Sequence, residues 1–496
     1  MATRTDKPVP ASSARRVGVG AGSPHYRWWA LSCTSLGMLL AATNSGTLII
    51  ALPDLERSLH ASLLALVWVI LAYLIAATVL VLTAGRLSDL FGRKKAYIGG
   101  FLLFAFASLG AGFAESATVL ILWRVLQGVG SAFLFANAAA LVTDAFPREQ
   151  LGLAMGANTM VAAVGLVLGP VLGGALVAVG WQWVFWFNVP LALLGAGWGA
   201  LVLHELARPD DVRGLDPLGT ATFIVGLTAL VLGISRGGLT GWNDPVVIGG
   251  LLSGAILLPA WVFIESRVSA PMLDLAIFRN RLFAAAGGAA FINGLSRFAL
   301  MFLFVFYYQG AQGDSAIEAG IKLAPLAIGM LVASPLAGMW ADRHGSRTLA
   351  AMGMVLTAAG LAGMTTLQVK SPYAQSALWL ALVGVGSGMF NSPNTAAMMG
   401  TVPAKRRGVA AGARTLLQNT GAVLSIAFVM AVVTSAVPQA TLFAIFSGVA
   451  SGLSEATLAP FIANMHAALW CLAAVSLIGA GVCLLRPSHV PVELPA

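Results

Sequence analysis

Gly85-Arg-Leu-Ser-Asp89-Leu-Phe-Gly92-Arg93-Lys94-Lys95 recurs as Gly338-Met-Trp-Ala-Asp342-Arg343-His-Gly345-Ser-Arg347, with the two aspartates, at 89 and 342, standing 253 residues apart. Both copies keep one Gly, Asp, Gly spacing, and each closes a long apolar run. Gly85 and Gly92 let two helix ends and a tight turn approach closely. Asp89 can accept backbone N–H groups or pair with a base, and Arg93, Lys94 and Lys95 hold the turn at a polar face. The same charged hinge in two places predicts a duplicated chain.

The hinge sits in a setting that water could not solvate. Of 496 residues 58% are hydrophobic and 9% charged, with a mean hydropathy of +0.87, so the solvent of this surface is a bilayer. Apolar stretches long enough to cross roughly 30 Å of hydrocarbon at about 1.5 Å per residue recur fourteen times. They are too long and too uniformly apolar for barrel strands and must satisfy their own backbone, so they are helices. The expected fold is an all-α integral membrane protein with fourteen transmembrane helices.

The hinge spacing also orders those helices. The two aspartates follow the second and tenth spans, whereas plain duplication of a six-helix unit would separate them by six. Two spans are therefore inserted. The reading is a six-helix bundle over 28–203, two inserted helices over 217–264 and a second six-helix bundle over 282–485. The polar stretches His204 to Asp216 and Glu265 to Arg281 bracket the insertion. Two crossings return the chain to the side it left, which preserves the orientation of the second half.

With the N-terminus inside, the tail and alternate loops hold 22 of the 28 Lys and Arg, which makes both termini cytoplasmic. The net charge of +9 is then the imprint of topology and of contact with anionic lipid headgroups, and it gives no reason to invoke nucleic acid. Residues 1–27 are polar and read as a disordered cytoplasmic tail, not a cleavable signal. Cys33, Cys471 and Cys483 lack paired spacing, so neither a disulfide nor a metal site is expected. A bias to Ala, Gly and Leu suggests a GC-rich bacterial genome and hence a bacterial inner membrane.

Two further motifs carry chemistry. Leu120-Ile-Leu-Trp-Arg124-Val-Leu-Gln127-Gly128-Val-Gly130 puts a cation inside the fourth span, where a charge costs at least about 2.5 kcal/mol unless it faces a partner or a wet cavity. Gly156 precedes Gly165-Leu-Val-Leu-Gly169-Pro170-Val-Leu-Gly173-Gly174 in the fifth, where small residues permit close helix crossing and Pro170 removes one backbone bond. Trp181-Gln-Trp-Val-Phe-Trp-Phe-Asn188-Val-Pro190, Ser392-Pro393-Asn394 and Arg407-Gly408 complete the set.

Together these residues resemble the major facilitator superfamily, and with fourteen spans its drug:proton antiporter branch, over residues 28–486. The resemblance implies two six-helix bundles plus two inserted helices. It also implies a cytoplasmic gate at Gly85, Asp89, Gly92, Arg93, Asp342 and Arg343, proton coupling at Arg124, and a sliding helix with Gly165, Gly169, Pro170, Gly173 and Gly174. Arg124 equally reads as a structural cation capping carbonyls.

One position departs from that family. The first span ends Thr43-Asn44-Ser45-Gly46-Thr47-Leu-Ile-Ile-Ala-Leu52-Pro53, with Asn44 where the branch has an embedded aspartate. Asparagine hydrogen-bonds but does not titrate. No acid sits deep; among those near the span ends, which include Glu56, Glu115, Asp144, Glu265, Glu318 and Glu455, Asp54 at the outer mouth is the preferred proton acceptor, while Arg124 and Arg297 are both deep. Asn44, Arg124 and Arg297 are expected to converge on a cavity of positive potential.

The function expected is therefore secondary transport. The leading reading is a drug or amphiphile exporter working by alternating access and coupled to protons. The alternatives are a metabolite or lipid-like amphiphile carrier not coupled to protons through the first helix, and a non-transporting membrane sensor. The expected partners are a small amphiphilic substrate, protons and membrane lipids. No P-loop is present, so ATP is not expected to drive it, and His466 has no nucleophile or acid cluster beside it, which argues against an enzyme; no cofactor is expected.

Overall fold

The computed structural model describes residues 25–147, 150–205, 214, 216–269, 271–402, 407–435, 437–446 and 454–486. The tail reading at 1–24 and the basic residues Arg148, Arg208, Arg213, Lys405 and Arg406 lie outside them. The described chain is helical throughout. The helices are α1 Tyr26–Ile50, α2 Leu52–Leu59, α3 Leu63–Phe91, α4 Arg93–Ala111, α5 Ala117–Ala145, α6 Leu151–Val179, α7 Trp183–Trp186, α8 Asn188–Val202 and α9 Pro217–Thr240. They continue with α10 Pro245–Glu265, α11 Arg281–Val305, α12 Ala316–Lys322, α13 Ala324–His344, α14 Ser346–Met364, α15 Tyr373–Gly400, α16 Arg407–Thr434, α17 Gln439–Phe446 and α18 Glu455–Leu484.

Among the described residues, eleven helical runs are long and apolar enough to cross a membrane. Three other long helices, α4, α6 and α15, have 19, 29 and 28 residues. Helix α4 is less apolar because Arg93, Lys94 and Lys95 form its first turn, and α15 because Ser, Asn, Thr and Gly crowd its second half. Polar caps set where many runs begin. Ser62, Ser116, Asp216, Asn280 and Ser454 accept N–H groups of the first turns of α3, α5, α9, α11 and α18, and Ser315 with Glu318 forms a capping box on α12.

The hinge differs from its sequence reading in one respect. Helix α3 runs on through Gly85 and Asp89 to Phe91, so the turn is made by Gly92 alone, at φ +101°. Gly345 makes the second turn at φ +86°. A Cβ is strained in that region, which is why both copies need glycine there. Gly85 sits inside the helix facing Ala136 of α5. A further difference follows α11, where Phe306–Gln312 widens into a π-helix and lengthens the run, leaving Arg297 midway along Arg281–Gln312.

Helices meet where side chains are smallest. A Cβ on Gly169 of α6 would lie 2.8 Å from the Cα of Gly46 on α1, and one on Gly173 2.8 Å from the Cα of Thr47. The crossing of α4 on α5 rests on Gly100 and Gly130, and that of α14 on α15 on Gly353 and Gly386, each against the other's carbonyl oxygen. Gly100 and Gly353 stand 253 residues apart, the interval of the hinge aspartates.

Helix α1 packs on α6, α3 and α4 on α5, and α4 on α8; α11 packs on α16, α13 and α14 on α15, and α14 on α18. These two sets touch along two seams, α3 against α16 and α6 against α12 and α13. The α9–α10 hairpin lies on the first seam, with α9 against both α3 and α16. Arg86 of α3 donates to the carbonyl oxygens of Gly214, at 3.0 Å, and Pro271, pinning the segments before and after the hairpin. Helix α17 lies between α16 and α18 in the chain.

Overpacking a backbone contact costs about 1–3 kcal/mol. Gly169→Val is expected to lower the Tm of the purified protein, because Gly46 offers only backbone to yield. Gly197→Ala, with open space at its Cβ, is expected to leave the Tm unchanged or raised.

Candidate functional site

Two polar clusters stand out in the first half of the chain. The first is the turn at Gly92. Arg93 donates from Nε to Asp89 Oδ1 at 2.8 Å and from Nη1 to both carboxylate oxygens of Asp144, at 2.8 and 2.7 Å. Glu205, just past α8, accepts the backbone N–H groups of Arg93 at 2.9 Å and Lys94 at 3.2 Å. That places a carboxylate at the positive end of the α4 dipole. Lys94 Nζ reaches the Ala200 carbonyl oxygen at 2.8 Å. The turn thus ties together α3, α4, α5 and the end of α8.

Of the gate residues named from sequence, Asp89, Gly92 and Arg93 meet here, with Gly85 about one turn back along α3 facing Ala136. Arg343 is exposed, and the side chain of Asp342 lies outside the described residues. Sequence reasoning missed Asp144 and Glu205 as partners, since they lie 51 and 112 residues from Arg93. A cavity of about 910 Å³ adjoins the cluster, lined on one side by Arg86, Asp89, Arg93, Asn137 and Asp144, and on the other by Glu265, Asp274, Arg279 and Gly412.

The second cluster is deep. Arg124, 1% exposed, donates from Nε to the Val69 carbonyl oxygen at 2.9 Å and from Nη1 to Gln127 Oε1 and, at 3.5 Å, to Asn44 Oδ1. Its guanidinium lies 4.2 Å from the centre of the Tyr73 ring. Gln127 Nε2 donates to Asn44 Oδ1 at 3.2 Å and Ser108 Oγ at 2.7 Å, and Asn188 Nδ2 reaches Asn44 Oδ1 at 3.4 Å. One amide oxygen therefore gathers donors from α5 and α8. A carboxylate at position 44 would have neutralised the arginine; the amide leaves its charge in place.

Asn44 and Arg124 are thus brought together. Arg297 is not among their bonded partners: it is buried on α11, with Phe298 beside its guanidinium and its Nε without a hydrogen bond. Asp54 is also apart, in α2, where it accepts from Arg57 Nη2 at 2.7 Å. Burial pushes the Asp54 carboxyl up from its ordinary range, and Arg57 pulls it partly back. Gly165, Gly169 and Gly173 of α6 face α1, while Gly174 and Pro170 reach α12: a Cβ on Gly174 would lie 2.6 Å from the Cα of Ile317, and Gly320 abuts the Pro170 carbonyl oxygen. The environment of Gly156 lies outside the described residues.

Comparison with known proteins supplies the family. The sequence profile of the Major Facilitator Superfamily matches residues 34–426 and 286–495. The chain is 31% identical to the tetracenomycin C resistance and export protein of Streptomyces glaucescens over 84% of its own length and 76% of that protein's. It is 34% identical to the puromycin resistance protein pur8 of Streptomyces alboniger, over 86% of this chain and 85% of the relative. Its fold is similar to the crystal structure of a bacterial homologue of the human lysosomal transporter Spinster, with a TM-score of 0.65 at 16% identity, covering 94% of this chain and 98% of that one.

A double-mutant cycle tests the first cluster. Asp144 is 23% exposed at its side chain and Asp89 44%, so Asp144 is the less screened partner of Arg93. Thermal denaturation of single and double variants is expected to give a coupling of about 1 kcal/mol for Arg93 with Asp144 and less for Arg93 with Asp89. The Asp89 coupling is expected to be the more weakened by added salt.

Proposed function

Because the chain belongs to the Major Facilitator Superfamily, we propose that it is a secondary exporter of drug-like amphiphiles, working by alternating access and coupled to protons. Its relatives bear the names of resistance and export proteins. Within the family we place it in the fourteen-helix drug:proton antiporter branch, adding α4, α6 and α15 to the eleven apolar runs. The bundles are then 28–203 and 282–485, with the hairpin at 217–264 inserted between them. The distribution of basic residues favours both termini on the cytoplasmic side, and the Ala, Gly and Leu bias favours a bacterial inner membrane.

The observation that carries this reading is the position of α6. Its glycine and proline face meets α1 on one side and α12 on the other, backbone against backbone, with no side chain interdigitated at Gly169 or Gly174. The α12 side of that face lies between the two proposed bundles, and a seam of that kind can slide without repacking large side chains, which is what rocking about a central site requires. In this reading Asp89, Arg93 and Asp144 close the cytoplasmic side, and Arg124 with Asn44 faces the substrate.

The amide at Asn44 favours a second reading, a carrier of amphiphilic metabolites or lipid-like molecules with no proton site on α1. The two readings differ in what a pH gradient does. A carboxyl pushed up by burial takes a proton at higher pH than an ordinary one, so Asp54 is the proposed proton acceptor.

Everted membrane vesicles containing the protein are expected to accumulate an amphiphilic dye when acidified inside, and to lose that uptake when the gradient is collapsed. Asp54→Asn is expected to abolish the stimulation by the gradient, and Arg124→Gln to lower flux at least about tenfold, the scale of one charge-assisted hydrogen bond. Uptake indifferent to the gradient would remove antiport and leave the second reading.

A further inference from the structure

The Arg124 cluster has a counterpart on α15 and α16. Arg414 stands seven residues into α16, about 10 Å from its first residue at the helical rise. Its Nη2 donates to Asn391 Oδ1 at 3.2 Å, and Gln418 Nε2 donates to the same oxygen at 3.2 Å. The Asn391 amide nitrogen is occupied by the Ser387 carbonyl oxygen at 3.0 Å. The pattern repeats Arg124, Gln127 and Asn44: an arginine and a glutamine directed at one asparagine oxygen. Arg414 was not among the candidate residues read from sequence; the packing of α15 and α16 brings it into this cluster.

Both clusters have more donors than acceptors. A guanidinium has five N–H groups and does not release its proton. Arg414 Nε is buried without a hydrogen bond, and among the described residues no acidic side chain forms an ion pair with Arg414, Arg124 or Arg297. Arg297 lies on α11, which packs on α16 where Gly294 meets the Gln418 carbonyl oxygen. Arginines held within spans without a carboxylate are costly unless something else supplies the negative charge. Arg414 is half-buried, so its side chain retains surface that a small molecule can touch.

We propose that Arg414, Gln418 and Asn391 form a binding subsite for the anionic group of an amphiphilic organic acid, a carboxylate or an ionised phenol on an apolar body. The subsite deepens the exporter reading, on which it rests for its cargo. The guanidinium and the Gln418 amide receive the anion. Asn391 holds the two donors together while the site is empty. The cargo class follows from charge: an organic cation would meet uncompensated arginines, whereas an organic anion meets the missing counter-charge.

Fluorescein and rhodamine 6G share a xanthene frame and carry opposite charge at neutral to mildly alkaline pH, which makes them a matched pair of probes. Their binding to the purified full-length protein in lipid nanodiscs is read by fluorescence polarisation. Fluorescein is expected to bind more tightly than rhodamine 6G. Arg414→Gln is expected to weaken it at least about tenfold, with Arg414→Lys retaining part of the affinity. Asn391→Asp puts a carboxylate on the guanidinium and is expected to abolish fluorescein binding and strengthen that of rhodamine 6G. It also keeps the subsite testable if Arg414→Gln does not fold.

Folded variants that bind fluorescein as the wild type does would overturn the proposal, as would a wild type that prefers rhodamine 6G or binds neither dye. Vesicles that export rhodamine 6G but not fluorescein keep the exporter reading and overturn the subsite. Fluorescein binding through Arg414 in a protein that exports neither dye keeps the subsite and overturns export.

Discussion

Lipid tails are as apolar as leucine, so burying one apolar helix face on another gains little in a bilayer, and these helices are held instead where backbone meets backbone. Gly46 on Gly169, Gly100 on Gly130 and Gly353 on Gly386 are such contacts. At that separation dispersion and backbone dipoles act over many atom pairs, and the crossing is set within a few tenths of an ångström. Everything polar in the interior depends on that register. Arg124 meets Asn44 because α5 and α1 are both held in place by glycine contacts with their neighbours.

The hinge turn and the α9–α10 hairpin belong to one mechanical unit. Gly92 turns the chain, Arg93 joins Asp89 to Asp144, and Glu205 caps α4. One turn back along α3, Arg86 holds the segments on either side of the hairpin through the carbonyl oxygens of Gly214 and Pro271. Helix α9 lies against α3 and α16 together. Any opening of the α3–α16 seam must therefore move the hairpin or slide past it, which gives this helix pair a physical bearing on the proposed rocking motion.

The interior chemistry is set by what is missing. The groups that meet Arg124 and Arg414 are amides, carbonyl oxygens and an aromatic ring, with no carboxylate among them. Amides orient a guanidinium without cancelling its charge. The same side chain that would be a spent ion pair beside an aspartate is here an unspent donor. That difference rests on single positions such as Asn44.

Much of this was legible in one dimension. The helical runs, the repeated hinge motif and the depth of Arg124 follow from apolar run length and from the punctuation of glycine, proline and charge, which are local properties of a chain in lipid. Arg297 was found as an intramembrane cation for the same reason, though not its midway position, because a π-helix after Val305 carries no apolar signature of its own. Asp144, Glu205, Arg414 and Asn391 were legible as residue types only. Which donor meets which acceptor depends on how two helices cross and in what register, and a shift of one residue along α16 would turn Arg414 about 100° away from Asn391. Local chemistry settles where the helices and turns are; only the packed helices decide that Arg93 closes on Asp144, that Asn44 collects donors from α5 and α8, and that Arg414 closes on Asn391.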